Sequence, residues 1–189
     1  MNFQMVHFLN TAGAYSEIEN IIGKAEHQLI LISPYIQIAK PLLERLTYVS
    51  EKHAVNITLV CRIDRLNRHE YNSLMRINRL DILNSPSLHA KCFYNERCMV
   101  ITSLNLYRHS HMHNREMGIL INRDEEPQVF SDAKSEAEFI IQTASIIKIN
   151  KLFVRQKQMQ SNISNVLTAD VGSSLRKSFP TFAKLFTSK

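Results

Sequence analysis

Hydrophobic residues recur along the first half of the chain in two alternating patterns, one helical and one strand-like. Residues 14–27 place Ile18, Ile21 and Ile22 at helical spacing, and residues 28–36 follow as an almost continuous apolar run. Such a run is typical of a strand that is buried on both faces. The same alternation then predicts helices at 39–53 and 68–78 and strands at 54–63 and 79–85. Alternating helices and strands favour an α/β fold with a central, largely parallel sheet.

The pattern changes after Pro86, where short strands replace the alternation. Strands are predicted at 88–94, 98–103 and 116–122. Only Asn95–Arg97 separates the first two, so they are predicted to form a hairpin. Apolar residues at helical spacing then predict one long amphipathic helix over residues 132–153.

Charge divides the chain unevenly. The 189 residues carry a net charge of +6, yet residues 1–147 hold 15 Lys and Arg against 16 Asp and Glu. Residues 148–189 hold 8 Lys and Arg and a single acid, Asp170. We therefore predict a folded domain at 1–155 and a basic, partly helical C-terminal extension at 156–189. The excess of positive charge indicates an anionic partner; the alternative is a tail that is basic only for solubility.

The sequence contains no sign of export or of a membrane span. No apolar run approaches the roughly 20 residues that a transmembrane helix needs. Residues 1–10 lack a basic start followed by an apolar block, so no secretion signal is expected. The cysteines, Cys61, Cys92 and Cys98, are odd in number and lack metal-type spacing, which indicates reduced thiols. A cytoplasmic protein is therefore expected.

Polar side chains that suit a phosphate follow one another on the strands after Pro86. His89 and Lys91 lie two residues apart, Ser103 and Asn105 lie two apart, and Glu116 comes next. Alternation along a strand would place each pair on one face of the sheet. A lysine in a sheet this apolar needs an anionic partner, and Ser103 and Asn105 could donate to the same phosphate. His89 supplies a nitrogen that can attack phosphorus or donate a proton, and Glu116 could hold the imidazole in one tautomer.

This order of residues resembles the signature of the phospholipase D superfamily, which runs H-x-K-x4-D, then G-S-x-N, then a downstream glutamate. The resemblance is clearest over residues 87–122, and the strand order extends it to residues 10–150. Two positions depart from the signature. The aspartate of the first motif falls on Glu96, or on Asn95 if the turn is one residue tighter, and is expected to affect a structural turn. The glycine before the serine is Thr102, which is expected to narrow the pocket.

The resemblance implies a mixed β-sheet flanked by helices on both faces, an α-β-α sandwich. It also implies a mechanism: one histidine attacks the phosphodiester to form a phosphohistidine, a second protonates the leaving oxygen, and water releases the product without a metal or other cofactor. Two H-x-K motifs are needed, and this chain has one. We therefore predict a homodimer with its active site on the two-fold axis, each subunit contributing one His89.

Four further residues are candidates for contacts with the substrate. The resemblance places Arg62 and Arg65 near the rim of the site, although surface salt bridges would explain them equally well. Thr102 stands within the serine motif itself. His109 begins an alternating stretch of histidines that could bind zinc. That stretch is better explained as a loop that contacts substrate phosphates, so no metal site is predicted.

The sequence of the C-terminal tail is compatible with several alternative binding partners. Residues 173–189 place apolar side chains at helical spacing among basic ones. They could pack on the domain or the partner subunit, bind nucleic acid through their charge, or lie on an anionic membrane. Pro180 interrupts the helix and the apolar stripe is short, so packing or nucleic-acid binding is favoured over the membrane.

Three functions remain open from the sequence. The favoured one is a nuclease acting on DNA or RNA, because small superfamily members with one motif tend to be nucleases and a basic tail suits a polyanion. The second is a phospholipase D that hydrolyses phospholipid head groups. The third is a catalytically idle module of the same fold that only binds nucleic acid, because Thr102 and the altered turn would disable the pocket.

Overall fold

The computed structural model describes residues 6–107 and 114–149 of the chain. The strands in these residues are β1 (His7–Asn10), β2 (Gln28–Ile32), β3 (Ile36–Gln37), β4 (Asn56–Cys61), β5 (Leu80–Asn84), β6 (Cys92–Tyr94), β7 (Cys98–Thr102), β8 (Leu106–Tyr107), β9 (Met117–Asn122) and β10 (Ser145–Lys148). The α-helices are α1 (Thr11–Gly23), α2 (Lys40–Lys52), α3 (Arg68–Met75) and α4 (Pro127–Thr143). A short 3₁₀ turn, Ile63–Arg65, follows β4.

Eight strands form one mixed sheet in the order β1-β9-β7-β6-β2-β4-β5-β10 in the described part of the chain. Its centre, β2, β4 and β5, is parallel, as the alternating pattern before Pro86 predicts. The strands after Pro86 add an antiparallel half, in which β6 pairs with both β2 and β7. The β6–β7 pair confirms the predicted hairpin. β3 and β8 form a separate parallel ladder.

Helices cover both faces of the sheet, which confirms the predicted α-β-α sandwich. Helices α1, α2 and α3 pack on one face through a core that includes Ile18, Leu46 and Leu74. Helix α4 packs on the other face through Phe130 and Ala137. Successive strand residues alternate between the two cores, because side chains of a strand point to opposite faces. The sandwich therefore explains why its central strands are apolar at almost every position.

The last predicted helix was placed too far along the chain. A helix was expected over 132–153, but α4 begins at Pro127 and ends at Thr143, after which Ala144 has extended backbone with ψ at 146°. The chain then forms β10, which pairs antiparallel with β5, the strand that would otherwise end the sheet on that side. The apolar spacing of a helix continues through these residues, but the unpaired backbone groups of an edge strand favour an added strand.

The side chain of Lys148 links β10 to the end of α3. Its ammonium group donates to the backbone carbonyls of Met75 at 3.2 Å and Ile77 at 2.5 Å, at the carboxyl end of α3. The Met75 carbonyl lies in the last turn of α3, where carbonyls lack partners within the helix, so a lysine is a favourable cap there. Burial lowers the pKa of Lys148, and the nearby charge of Asp81 partly offsets that effect.

The start of the chain also differs from the prediction. The first helix was expected from residue 14 but begins at Thr11, where the Asn10 side chain accepts a hydrogen bond from Gly13 N–H at 2.9 Å. An asparagine in this position is a common helix N-cap. It follows β1, an edge strand that the sequence did not predict.

The described residues lie in the compact unit Met1–Asn150. The predicted domain boundary at residue 155 and the basic extension lie outside them, and both stay predictions. Every helix in the described residues is too short or too polar to cross a bilayer.

Candidate active site

The predicted site residues meet at one edge of the sheet because of the directions of three strands. β6 runs antiparallel to β2, β7 antiparallel to β6, and β9 antiparallel to β7. The start of β6, the end of β7 and the start of β9 therefore lie side by side, next to the end of β2. His89 and Lys91 precede β6, Ser103 follows β7, and Glu116 precedes β9. Residues that are up to 27 positions apart thus become neighbours.

The serine and the glutamate are directly connected. The hydroxyl of Ser103 donates a hydrogen bond to the carboxylate of Glu116. The Met117 N–H donates to the Ser103 Oγ at 3.1 Å, and the Ser103 N–H donates to the Met117 carbonyl at 2.9 Å. The Glu116 N–H in turn donates to the Thr11 Oγ1 at 2.8 Å. This set of bonds fixes the end of β7, the start of β9 and the start of α1 relative to one another.

The lysine lies within the same cluster of charges. Its Nζ donates to the His89 backbone carbonyl at 2.9 Å, and the Lys91 carbonyl accepts from the Thr102 N–H at 3.3 Å. Burial lowers the pKa of Lys91, while the charge of Glu116 acts in the opposite direction. The side chain of His89 is exposed, and its imidazole makes no hydrogen bond within the described residues. The contact predicted between that imidazole and Glu116 stays a prediction.

A cavity of about 500 Å³ opens beside these groups, between the sheet edge and α4. His89, Lys91, Thr102 and Ser103 line its polar side. Its remaining wall is apolar except for Glu136, and consists of Ile32, Ala90, Cys92, Ile101, Ala133, Ala137 and Ile140. Burial raises the pKa of Cys92 to about 12, so its thiol stays protonated at neutral pH. The cavity therefore combines candidate phosphate-binding groups with space for an apolar or flat substituent.

Thr102 replaces the glycine of the family motif without projecting freely into this cavity. Its hydroxyl donates to the Met117 carbonyl at 2.7 Å and accepts from the Leu104 N–H at 3.1 Å. Thr102 is paired in register with Gly118 on β9. A Cβ at Gly118 would lie 2.8 Å from the Thr102 Cβ and 2.9 Å from the Ile101 carbonyl oxygen. The family motif has its glycine on β7, whereas this chain has Thr102 there and Gly118 opposite it on β9, where a Cβ would overlap the threonine.

Asn105 lines a different cavity from Ser103. β7 ends at Thr102, so strand register does not test the predicted shared face of Ser103 and Asn105, which stays a prediction. The carbonyl oxygen of the Asn105 side chain is buried, and the residue lines a second, smaller cavity beside α1 and α2. The next residue, Leu106, donates its N–H to the Ser33 Oγ at 3.0 Å, which holds the segment against the end of β2.

Glu96, at the position of the motif's aspartate, forms a structural contact. Its carboxylate accepts hydrogen bonds from the backbone N–H groups of Glu26, His27 and Gln28, where the chain enters β2. Partial burial raises the pKa of Glu96, but these hydrogen bonds outweigh it and leave the pKa lowered. The neighbouring Asn95 is buried, donates to the Ile21 carbonyl at 2.9 Å and accepts from Arg97 N–H. The pair fastens the hairpin at the edge opposite the candidate site.

The two arginine candidates lie at the site's edge of the sheet but outside the cavity. Arg62 and Arg65 each lie 3.2 Å from the same carboxylate oxygen of Asp64. The hydrogen bond from Arg62 and the charges of both arginines lower the pKa of Asp64. The remaining candidate, His109, lies outside the described residues. Within the residues that are described, no three His, Cys, Asp or Glu side chains are grouped so as to hold a metal ion.

Sequence reasoning missed several residues that shape the site. Thr11 had no signal, because its role depends on the distant Glu116. Gly118 did have one, since an isolated glycine within a strand pattern indicates a close approach of another backbone or side chain. Glu136 comes from α4, whose position over the cavity the sequence could not give.

Comparison with known proteins identifies the architecture. Residues 18–139 match the family model described as cardiolipin synthase, PLD-like domain. Among curated proteins, no sequence matches this chain significantly. Solved structures do match, and they share the fold of this chain.

The similar structures resemble this chain in fold at low sequence identity. They include Nuc from Salmonella typhimurium, a phospholipase D family member, with a TM-score of 0.63, 13% identity and coverage of 76% of this chain and 98% of that chain. NucT from Helicobacter pylori has a TM-score of 0.62, 12% identity and coverage of 75% and 100%. Phosphatidylserine synthase from Haemophilus influenzae Rd KW20 has a TM-score of 0.60, 13% identity and coverage of 88% and 46%. These matches confirm the predicted fold class and the resemblance inferred from the motifs.

Proposed function

Because this chain belongs to the phospholipase D-like (PLD-like) domain family, we propose that it is a metal-independent phosphodiesterase that cleaves DNA or RNA. The observation that carries the proposal is that His89, Lys91 and Ser103 line one cavity, in which Ser103 is hydrogen-bonded to Glu116. A nucleophile, a cation, a hydroxyl and a carboxylate in one place are the groups that phosphoryl transfer through an enzyme-bound intermediate requires.

The proposed reaction has two steps. An imidazole nitrogen of His89 attacks phosphorus, the bond to the leaving oxygen breaks, and His89 of the partner subunit gives that oxygen its proton. Water then attacks the phosphohistidine, the partner's His89 takes a proton from the water, and the P–N bond breaks. Both histidines return to their starting state, so the cycle needs no redox partner.

The neighbouring groups would act on the charge of the phosphate. Lys91 lies near the nucleophile and would neutralise the non-bridging oxygens as negative charge develops on them. On substrate binding, we expect the Ser103 hydroxyl to turn its proton from Glu116 to one of those oxygens. The freed carboxylate would then accept the N–H of an imidazole and stabilise its cation.

The reaction needs two histidines, and an exposed apolar patch beside the site supports a homodimer. The patch consists of Phe8, Ile101 and Met117, which are 67%, 36% and 65% exposed. Phe8 and Ile101 are both register partners of Ile119, so they share one face of the sheet with it. Met117 lies on that face as well, two residues from Ile119 on the same strand. A second copy covering the patch would bring its own sheet edge close to the candidate site.

Cleavage assays without metal test the proposed activity. Labelled single- and double-stranded DNA and RNA would be incubated with the protein in excess EDTA, comparing wild type with His89→Ala and with His69→Ala, a control that removes another exposed histidine. We expect cleavage by wild type and His69→Ala and a loss of at least about 10³-fold in His89→Ala. Salt-dependent binding without cleavage by any of the proteins would instead identify an idle nucleic-acid-binding module.

A charge inserted into the apolar patch tests the dimer. Met117→Asp is expected to give a monomer by light scattering and to lose cleavage, because each active site would lack its second histidine. Tyr48→Asp is the matched control, since Tyr48 is 56% exposed on α2, away from the patch. Wild-type protein that is monomeric and fully active would contradict the shared site.

A second candidate, a phospholipase, is favoured by the apolar wall of the cavity. Its volume of about 500 Å³ and its aliphatic lining suit the acyl region of a lipid whose phosphate is held by His89 and Lys91. Under this alternative, phosphatidylglycerol or phosphatidylethanolamine in vesicles would be hydrolysed, and nucleic acids would not. Running both substrate classes with the same His89→Ala variant decides between the two activities.

A further inference from the structure

A second cavity lies on the other side of the candidate site, between the β3–β8 ladder and helices α1 and α2. Its volume of about 20 Å³ is sufficient for one water molecule. Apolar side chains such as Ile18, Leu42 and Leu106 form most of its wall. Gln37 from β3 and Asn105, just before β8, are the amide residues that line the same cavity.

Each of the two amide side chains has a buried oxygen that lacks a hydrogen-bond donor within the described residues. The side-chain oxygens Oε1 of Gln37 and Oδ1 of Asn105 are buried and make no hydrogen bond within the described residues. A buried oxygen that loses its hydrogen bond with water destabilises the fold, so such groups nearly always bind a protein donor or an ordered water. One water has two hydrogens and can donate one to each oxygen.

We propose that Gln37 is a positioning residue for Asn105 and acts through a water shared by the two amide oxygens. The inference rests on the proposed phosphate chemistry of the site. An amide is planar, so holding Oδ1 in the cavity directs the two N–H donors of Asn105 away from it. In the reverse orientation the oxygen would face outward and repel an anionic substrate. The shared water therefore selects the orientation in which Asn105 can donate to phosphate.

The position of Gln37 in the chain fits this role. β3 pairs in parallel with β8, where Ile36 is opposite Leu106 and Gln37 is opposite Tyr107. The ladder therefore holds the backbone of β3 beside the residues that follow Asn105. The Ser33 hydroxyl, which accepts from the Leu106 N–H, adds a second link between the two segments.

The first test measures binding of inorganic phosphate, which does not require turnover. We expect Gln37→Met, which keeps the side-chain length but removes the acceptor, to weaken phosphate binding about fivefold, the equivalent of one modest hydrogen bond. Ile36→Val is the matched control, because it trims the same strand without removing a polar contact.

A double-mutant cycle separates positioning from a general effect on the fold. If Gln37 acts through Asn105, Gln37→Met should have no further effect on phosphate affinity in an Asn105→Ala background. An equal loss in both backgrounds, or unchanged affinity in the wild-type background, would overturn the inference. Wild-type protein that does not bind phosphate would overturn the inference too. A protein that binds phosphate but cleaves nothing would count against the proposed function alone.

A crystal structure of the wild-type protein gives an independent answer. The inference expects density for a water about 2.8 Å from both amide oxygens. A direct hydrogen bond between the two amides, with one of them turned over, would contradict it.

Discussion

The two faces of the sheet differ in how completely their strand residues are buried. On the face covered by α1, α2 and α3, strand residues such as Leu31, Leu59 and Phe93 are at most 1% exposed. On the other face, α4 is the covering helix within residues 6–107 and 114–149; there the cavity reaches Ile32 and Cys92, and Phe8 and Met117 are about two-thirds exposed. In the described part of the chain, three helices cover one face of the sheet, whereas a single helix covers the other and leaves one edge of it exposed.

This difference is expected to separate the residues that stabilise the fold from the residues of the proposed site. The closed face removes the larger apolar area from water, and burial of apolar area is the main source of folding free energy. The open face leaves a cavity beside His89 and Ser103 and leaves the apolar patch exposed, where the proposed partner subunit would bind. Each of the following predictions tests or refines this contrast, from the largest expected effect to the smallest.

Matched truncations on the two faces should differ most. Leu59→Ala on the closed face is expected to lower the free energy of unfolding by about 2–5 kcal/mol, because it leaves a cavity in a packed core. Ile101→Ala on the open face is expected to cost about 1 kcal/mol, since Ile101 is 36% exposed and fewer contacts are lost. Urea unfolding of both variants measures the difference. Equal losses would show that the open face is as tightly packed as the closed one.

The close contact between β7 and β9 should be disrupted by a single methyl group. Gly118→Ala is expected to destabilise the protein by about 1–3 kcal/mol, because the new Cβ would overlap Thr102 and the Ile101 carbonyl. Thr102→Gly removes two of the three contacting atoms, so Gly118→Ala should cost less in that background. Thermal unfolding of the single and double variants gives the coupling energy. Strictly additive effects on the free energy of unfolding would show that Thr102 does not require a glycine at position 118.

The turn at the opposite edge should respond to acid. The pKa of Glu96 is lowered in the folded protein, so its contribution to stability is present above the unfolded value near 4.3 and is lost as the pH falls through the folded value. Glu96→Gln is expected to cost about 1 kcal/mol at neutral pH. The difference from wild type should shrink from about pH 5 downward. A constant difference across this range would show that the carboxylate charge is unimportant there.

The smallest expected effect is a gain in stability. Ala54, between α2 and β4, has a φ of 57°, in the left-handed region that favours glycine. Ala54→Gly is therefore expected to raise the free energy of unfolding by up to about 1 kcal/mol, with no change in activity, because it is remote from the open face. Val55→Ala at the next position, which is fully buried, should instead destabilise the protein. A loss of stability in Ala54→Gly would show that the flexibility of the unfolded chain outweighs the backbone strain.

The sequence predicted the fold better than it predicted the ends of the elements. The parallel centre and the hairpin followed from local patterns of apolar residues and from the short connection at Asn95–Arg97. The boundary of α4 did not, because residues 144–148 continue the helical spacing and only the free edge of β5 makes a strand there. β1 was missed because a short edge strand carries a weak pattern.

The candidate site was predicted only in part, because local patterns identify its residues but not their positions in the fold. His89, Lys91, Ser103 and Glu116 were identified by type and spacing, and the structure places them at one edge of the sheet. Asn105 belongs to the same motif, yet it lies beyond the end of β7 and lines a different cavity, and its side-chain oxygen is buried.

The sequence by itself determined which chemical groups are present and in what order along the strands, because motifs and apolar periodicity are local properties. Tertiary structure alone decided which of these groups touch. Three contacts join segments that are distant in sequence: the hydrogen bond from Ser103 to Glu116, the packing of Thr102 against Gly118, and the hydrogen bond from the Gln28 N–H to Glu96. Such contacts depend on strand register and on helix packing, which arise from the summed burial of many residues rather than from any one stretch of the chain.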